Sequence, residues 1–288
     1  MLFIIGVLVV GGSVITGYLM HYGELRLLWQ PNELLIILGA GIGAALIGYP
    51  IDELKKTAKA LSHLFKTRPK QTNDYIDLLS FFFNIFKLMK VKGMLEIESH
   101  LENPEDSELF NQAPSIMMDN SALSFVRDYL RMMTMGVDNI HQFEALLDRE
   151  IEILEEEEIA PSRVFLTIGD SLPALGIVAA VLGVITTMRS ITEPPEVLGS
   201  LIAAALVGTF TGVLFAYGLF LPIGHYLRSY AAQKIMFYKC IKAALISHLS
   251  GNAPIVTVEF MRKNIPEDLR PDFYQADQII NSRSKNYT

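Results

Sequence analysis

The chain has 288 residues, 51% of them apolar, with a mean hydropathy of +0.33 and a formal net charge of −7. It is too apolar for an ordinary soluble enzyme and too charged to lie wholly in lipid, and its acidic balance argues against a nucleic-acid partner, which needs a basic surface. A single cysteine, Cys240, excludes an internal disulfide and a cysteine-ligated metal cluster.

The apolar residues are clustered. Uncharged stretches at 1–20, 34–51, 171–188 and 197–224 each approach the roughly 20 residues that a bilayer-spanning helix needs, so they predict four transmembrane helices. The first stretch lacks a basic n-region and a small-x-small cleavage site and reads as a permanent span. Lys55, Lys56, Lys59, Lys66, Arg68 and Lys70 follow the second span, and Arg228, Lys234, Lys239 and Lys242 follow the fourth. The short connections 21–33 and 189–196 hold one arginine each, Arg26 and Arg189. The positive-inside rule then puts the long loop and both termini in the cytoplasm.

Between the second and third spans, 53–66, 73–92, 107–118, 121–135 and 138–158 carry helical periodicity. The acidic run Glu155–Glu158 belongs to the last of these, where Leu146, Leu147, Ile151 and Leu154 recur at helical spacing, and it reads as a solvated face. Asn103, followed by Pro104, Glu105 and Asp106, reads as a helix start. No β-alternation of useful length is found. The expected fold is therefore an all-α membrane protein with a helical cytoplasmic domain inserted between spans two and three. Its parts are 1–50 (spans one and two), 51–165 (cytoplasmic domain), 166–227 (spans three and four) and 228–288 (cytoplasmic C-terminal helix and tail). The tail after about 252, with Pro254, Pro266 and Pro271, reads as loosely ordered.

Small residues run through the spans. Gly39 and Gly43 are four apart, as are Ala40, Ala44 and Gly48, and Ala204, Gly208, Gly212 and Ala216 form a continuous ladder. Such ladders let helices approach closely in lipid, within one chain and against other subunits.

Catalytic chemistry is missing. There is no P-loop, dinucleotide fingerprint, histidine pair at metal spacing or nucleophile elbow, so neither an enzyme nor a cofactor or metal is expected. The polar residues of the span interiors are Ser13, Thr16, Thr186, Thr187, Ser200, Thr209, Thr211 and tyrosines, with Ser171 at the edge of the third stretch. Ion pathways usually carry a titrating group at membrane depth, so an ion-conducting role needs a carboxylate from another chain. Asp170 stands at the cytoplasmic mouth of the third span, and helical spacing puts it on one face with Pro173, Ile177, Ala180, Val184 and Thr187. Pro173 permits a kink but is also harmless in a first turn, whereas Pro222, deep in the fourth stretch, should loosen its helix.

Five blocks carry a resemblance: "QPNELLIILGAGIG" at 30–43, "GMLEIESHLENPEDSELF" at 93–110, "GDSLPALGIVAAVLGV" at 169–184, "ALVGTFTGVLFAYG" at 205–218 and "VEFMRK" at 258–263. In this order they resemble the MotA family, four-span stator subunits of the bacterial flagellar motor in the inner membrane. The resemblance implies five copies around two of a single-span partner, MotB, whose membrane aspartate accepts the ion, and a push on the rotor protein FliG. It implies that Pro173 and Pro222 couple ion flow to movement, that Asp170 is the acid before the first proline, and that Thr209 lines the ion path. It places Lys90 and Glu98 at the rotor, with Glu150 as a third. Sodium-type members carry a third-span threonine where this chain has Ala180, which implies a proton as coupling ion. The alternatives are a sodium-driven stator and an energiser of the ExbB/TolQ type, which has three spans. A secondary transporter is disfavoured because it would be expected to show a repeat or a broken-helix pair with a binding residue.

Overall fold

The computed structural model describes residues 2–63, 70–137 and 139–284. Lys66 and Arg68, counted above in the basic flank, lie outside them. Among the described residues the chain is helical, without strands, and four helices are long and apolar enough to cross a membrane. The chain divides into two compact units, 1–67 with 158–229 and 68–157 with 230–288.

The membrane unit begins with α1 (Leu2–Met20), the short α2 (Leu25–Leu28) and α3 (Pro31–Gly48). Helix α3 starts three residues earlier than its uncharged stretch, because Pro31 sits in its first turn, where a missing N–H costs nothing. Its 18 residues rise about 27 Å, close to the hydrocarbon thickness. Helix α4 (Ile51–His63) follows, and the unit is completed by part of α10 (Ile140–Thr187), by α11 (Pro195–Phe215) and by the start of α12 (Leu221–Leu249). Its core is thin: Ile37, Ala45, Val164, Ile168, Leu172, Ala179 and Ala216 form the main cluster. The hydroxyl of Tyr49, just after α3, lies 2.7 Å from Thr167 Oγ1 on α10.

The extramembrane unit is built around α5 (Thr72–Lys92). Apolar residues surround this helix, so Tyr75, Leu78, Phe81, Phe82, Ile85 and Phe86 are all buried. Gln71 and Asp74 close its start as a capping box, and Gly93, at φ 94°, ends it. The short helices α6 (Glu98–Glu102), α7 (Glu108–Asn111) and α8 (Pro114–Met117) lead into α9 (Asn120–Thr134). The stretch expected as one helix over 107–118 is thus broken at Pro114, whose ring disfavours a helical residue before it.

One expectation holds only in part and one is overturned here. Asn103 makes no side-chain cap and precedes only a 3-10 turn, Pro104–Asp106, while the capping side chain is Ser107, accepting from the Phe110 amide at 3.4 Å. The described part of the tail is ordered: α13 (Pro254–Lys263) and α14 (Phe273–Ser284) pack on α5, with Val258, Met261, Ile265, Ala276 and Ile280 in the core. Arg262 fixes this region, donating to both Glu259 oxygens at 2.7 Å and to the Pro271 carbonyl at 3.1 Å.

Candidate functional site

The membrane helices meet along their glycines. A Cβ placed at Gly176 on α10 would stand 2.9 Å from the Gly208 carbonyl oxygen and 3.3 Å from the Thr209 Cα of α11. At Gly212 it would stand 2.6 Å from the Leu172 oxygen and 2.9 Å from the Gly176 Cα. These neighbours are backbone and cannot yield, so Gly208 and Gly212 are engaged within the chain. On α3 the ladder is not used as spaced. Gly43 has nothing within 4 Å, whereas Gly41 faces Leu172, with a Cβ contact of 3.1 Å.

The face expected from Asp170 to Thr187 divides in two. Asp170, Ile177 and Val184 are exposed, while Pro173 is half-buried and Ala180 and Thr187 are buried. The two rows are about 60° apart on a helix of 3.6 residues per turn, and the packed row turns toward the bundle. Thr187 spends its hydroxyl on the Gly183 carbonyl at 2.9 Å. Thr209 is half-buried.

The neighbourhoods of Asp170 and Pro222 are brought together. A Cβ at Gly169 would be 2.8 Å from the Leu221 side chain and 3.2 Å from its amide nitrogen, and one at Gly224 would be 2.8 Å from the Leu166 side chain. Just before Pro222 the helix widens into a π turn over Ala216–Phe220. Proline lacks a donor and its ring crowds the carbonyl four residues back, and a π turn relieves that conflict. The expected loosening is therefore visible, and Pro222 itself is exposed.

The sequence reading missed Glu33. Bounding the second stretch at 34 left this acid in a loop, yet it is the third residue of α3, within the candidate span Leu25–Gly48. Only 9% of it is exposed, and its Oε2 is sealed without a hydrogen-bond partner. A Cβ at Gly183 would lie 3.2 Å from Glu33 Oε1, and one at Gly208 would overlap Oε2 while standing 3.2 Å from the Ala180 amide nitrogen. The carboxylate thus rests between α10 and α11, beside Ala180 and Thr209. The helix-start signal of Pro31 was what could have revealed it.

In the extramembrane unit, Lys90 lies in the last turn of α5 and Glu98 opens α6, both exposed. Between them Val91 and Leu95 are also exposed, at 71% and 73%. Glu150 is half-buried and accepts a 2.6 Å hydrogen bond from Tyr129. Burial, and then the Glu150 carboxylate, push the Tyr129 phenol well above its usual range.

Residues 4–93 match the family described as "Motility protein A N-terminal", and 118–239 match the "MotA/TolQ/ExbB proton channel family". Motility protein A of Escherichia coli (strain K12) is 42% identical over 280 residues, covering 97% of this chain and 95% of that one. The chain belongs to the motility protein A family. Chemotaxis protein LafT of Vibrio parahaemolyticus is 33% identical over 96% of this chain and 97% of its own. The flagellar MotAB stator complex from Bacillus subtilis has a chain that superposes with a TM-score of 0.75 at 25% identity, covering 91% of this chain and 95% of that one. A C. jejuni MotAB chain superposes at 0.77 with 20% identity, over 92% and 96%, a likeness of fold. Membership of this family makes the chain a multi-pass inner-membrane protein of the channel and stator type.

Proposed function

We propose that this chain is a stator subunit of the flagellar motor, assembling as five copies around a single-span MotB-like partner to carry protons and turn the rotor protein FliG. The observation that carries the reading is the 42% identity across 97% of the chain. It is supported by the loosened helix before Pro222 and by the Asp170 segment packed beside it. In this reading the partner's aspartate takes the ion between Ala180 and Thr209. Its charge change shifts the α10–α12 crossing, and the shift reaches the exposed Lys90 and Glu98, with Glu150 held behind by Tyr129. The basic flanks of the spans support a cytoplasmic position for the extramembrane unit and both termini.

The magnitudes suit such a device. One charge crossing 100 mV releases about 2.3 kcal/mol, more than the 0–1 kcal/mol or so at stake in an exposed ion pair at the rotor. The choice of proton rests on Ala180, because a methyl cannot replace the water that a sodium ion sheds. The test is swimming of a deletion strain carrying this chain and its partner in sodium-free buffer, with and without a protonophore. Swimming that persists without sodium and stops with the protonophore is expected. Swimming that needs sodium and survives the protonophore overturns the choice of ion, and wild-type swimming in the deletion strain itself overturns the stator role.

A further inference from the structure

We infer that Glu33 is a proton-binding station on the ion path contributed by this chain itself, an inference that rests on the stator reading. The acid stands within a membrane-spanning segment and is 91% buried, the complement of its 9% exposure, with its Oε2 cut off from water and from every hydrogen-bond donor among the described residues. An acid in the first turn of a helix gains a little from the free amides there. That gain is small beside the cost of sealing a carboxylate oxygen in an apolar site with nothing to complete it. Intramembrane acids are placed where they bind or pass charge.

The surroundings specify what completes this one. Gly183 and Gly208 approach the two carboxylate oxygens, and either glycine with a methyl group would close on them. Gly208 lies 13 residues past the helix start at Pro195, about 20 Å along α11. The Thr187 hydroxyl on the adjacent turn is already donated to Gly183. Sodium needs a cage of hydroxyls and free carbonyls. A proton needs only the oxygen. In the proposed cycle the Glu33 carboxylate takes a proton from hydronium when the helices part and admit water, which neutralises it. The neutral acid releases the proton through water past Ala180 and Thr209 to the partner's carboxylate, which becomes neutral as Glu33 returns to the anion.

The experiment uses the full chain co-expressed with a partner whose periplasmic plug is removed, reading cytoplasmic acidification in sodium-free medium after external pH is lowered. Glu33→Gln keeps the shape and removes the titration. The proposal expects proton influx per assembled complex, normalised by co-purification, to fall below half of wild type, and Glu33→Asp to recover part of it. It also expects the dependence of influx on external pH to change in Glu33→Gln. A Glu33→Gln complex with wild-type influx and the same pH profile overturns the proposal and leaves a donor from another chain as what completes the carboxylate. A wild-type complex that admits no protons overturns the stator reading instead.

Discussion

The two units hold together by opposite means. In the extramembrane unit large rings do the packing: Phe81, Phe82 and Phe110 meet edge to face, and Phe86 lies flat on His248 with ring centroids 4.0 Å apart. In the membrane unit the tightest contacts are made by residues with no side chain, Gly176, Gly208 and Gly212, backbone against backbone. The contrast follows from the solvent. Water drives apolar bulk together and stabilises the aromatic core, whereas lipid provides no such drive and leaves dispersion between closely approaching backbones. A unit held by shape alone also tolerates one buried acid and one π turn, which makes it the natural place for a moving part.

The largest effect expected from this contrast is at Gly212. Gly212→Val sets a branched side chain against the Leu172 oxygen and the Gly176 Cα, and should abolish accumulation in the membrane, read by immunoblot of membrane fractions. Gly43→Ala, with open space around it, should leave the level unchanged. Equal losses at both positions would break the idea that glycine contacts hold this unit.

Phe86→Ala attacks the other unit. It removes a fully buried ring and should cost about 3–5 kcal/mol, the usual range for emptying such a site. Thermal unfolding of the detergent-solubilised chain, followed by circular dichroism, would register it as a lowered midpoint. A midpoint equal to wild type would mean that the aromatic cluster is not the core it resembles.

Function separates from stability at the surface. Lys90→Glu or Glu98→Lys should slow swimming with membrane level and partner binding unchanged, because both side chains are exposed and stand outside the core. Partial recovery by a reversed charge in FliG would locate the contact, and normal swimming by both variants would reduce them to ordinary surface charges.

The smallest effect concerns acid. The hydrogen bonds from Arg262 hold the Glu259 carboxyl below its ordinary value of 4.5, against an opposing effect of burial. A depressed carboxylate adds stability above the unfolded-state value, and this is lost as pH falls through the folded-state value. With Glu259 partly exposed, the contribution is about 1 kcal/mol or less. Glu259→Gln should therefore lower stability slightly near pH 7 and flatten its decline below about pH 4.5. An unchanged acid limb would assign the order of α13 to its apolar contacts alone.

Legibility differed between the units for physical reasons. The four spans were readable because lipid demands a long uncharged run, and α5 was readable because apolar residues recur through all of 73–92. Glu33 was hidden by the same rule, since ending a span at its first charge discards an acid that the helix carries inward. The order of α13 and α14 was hidden because their polar residues form specific links, Arg262 to Glu259 and Pro271, that composition does not report. The π turn is local relief of a proline conflict, and sequence fixed its neighbourhood through Pro222 without its form. Asn103 carried a cap signal that Ser107, four residues on, fulfilled instead.

The most direct measurement of the account is proton influx in cells expressing this chain alone, its unplugged partner alone, or both. The account predicts that only the pair acidifies the cytoplasm, because in the proposed path Glu33 belongs to this chain and the carboxylate that completes it belongs to the partner. Robust influx through this chain alone, or none through the pair, would contradict it.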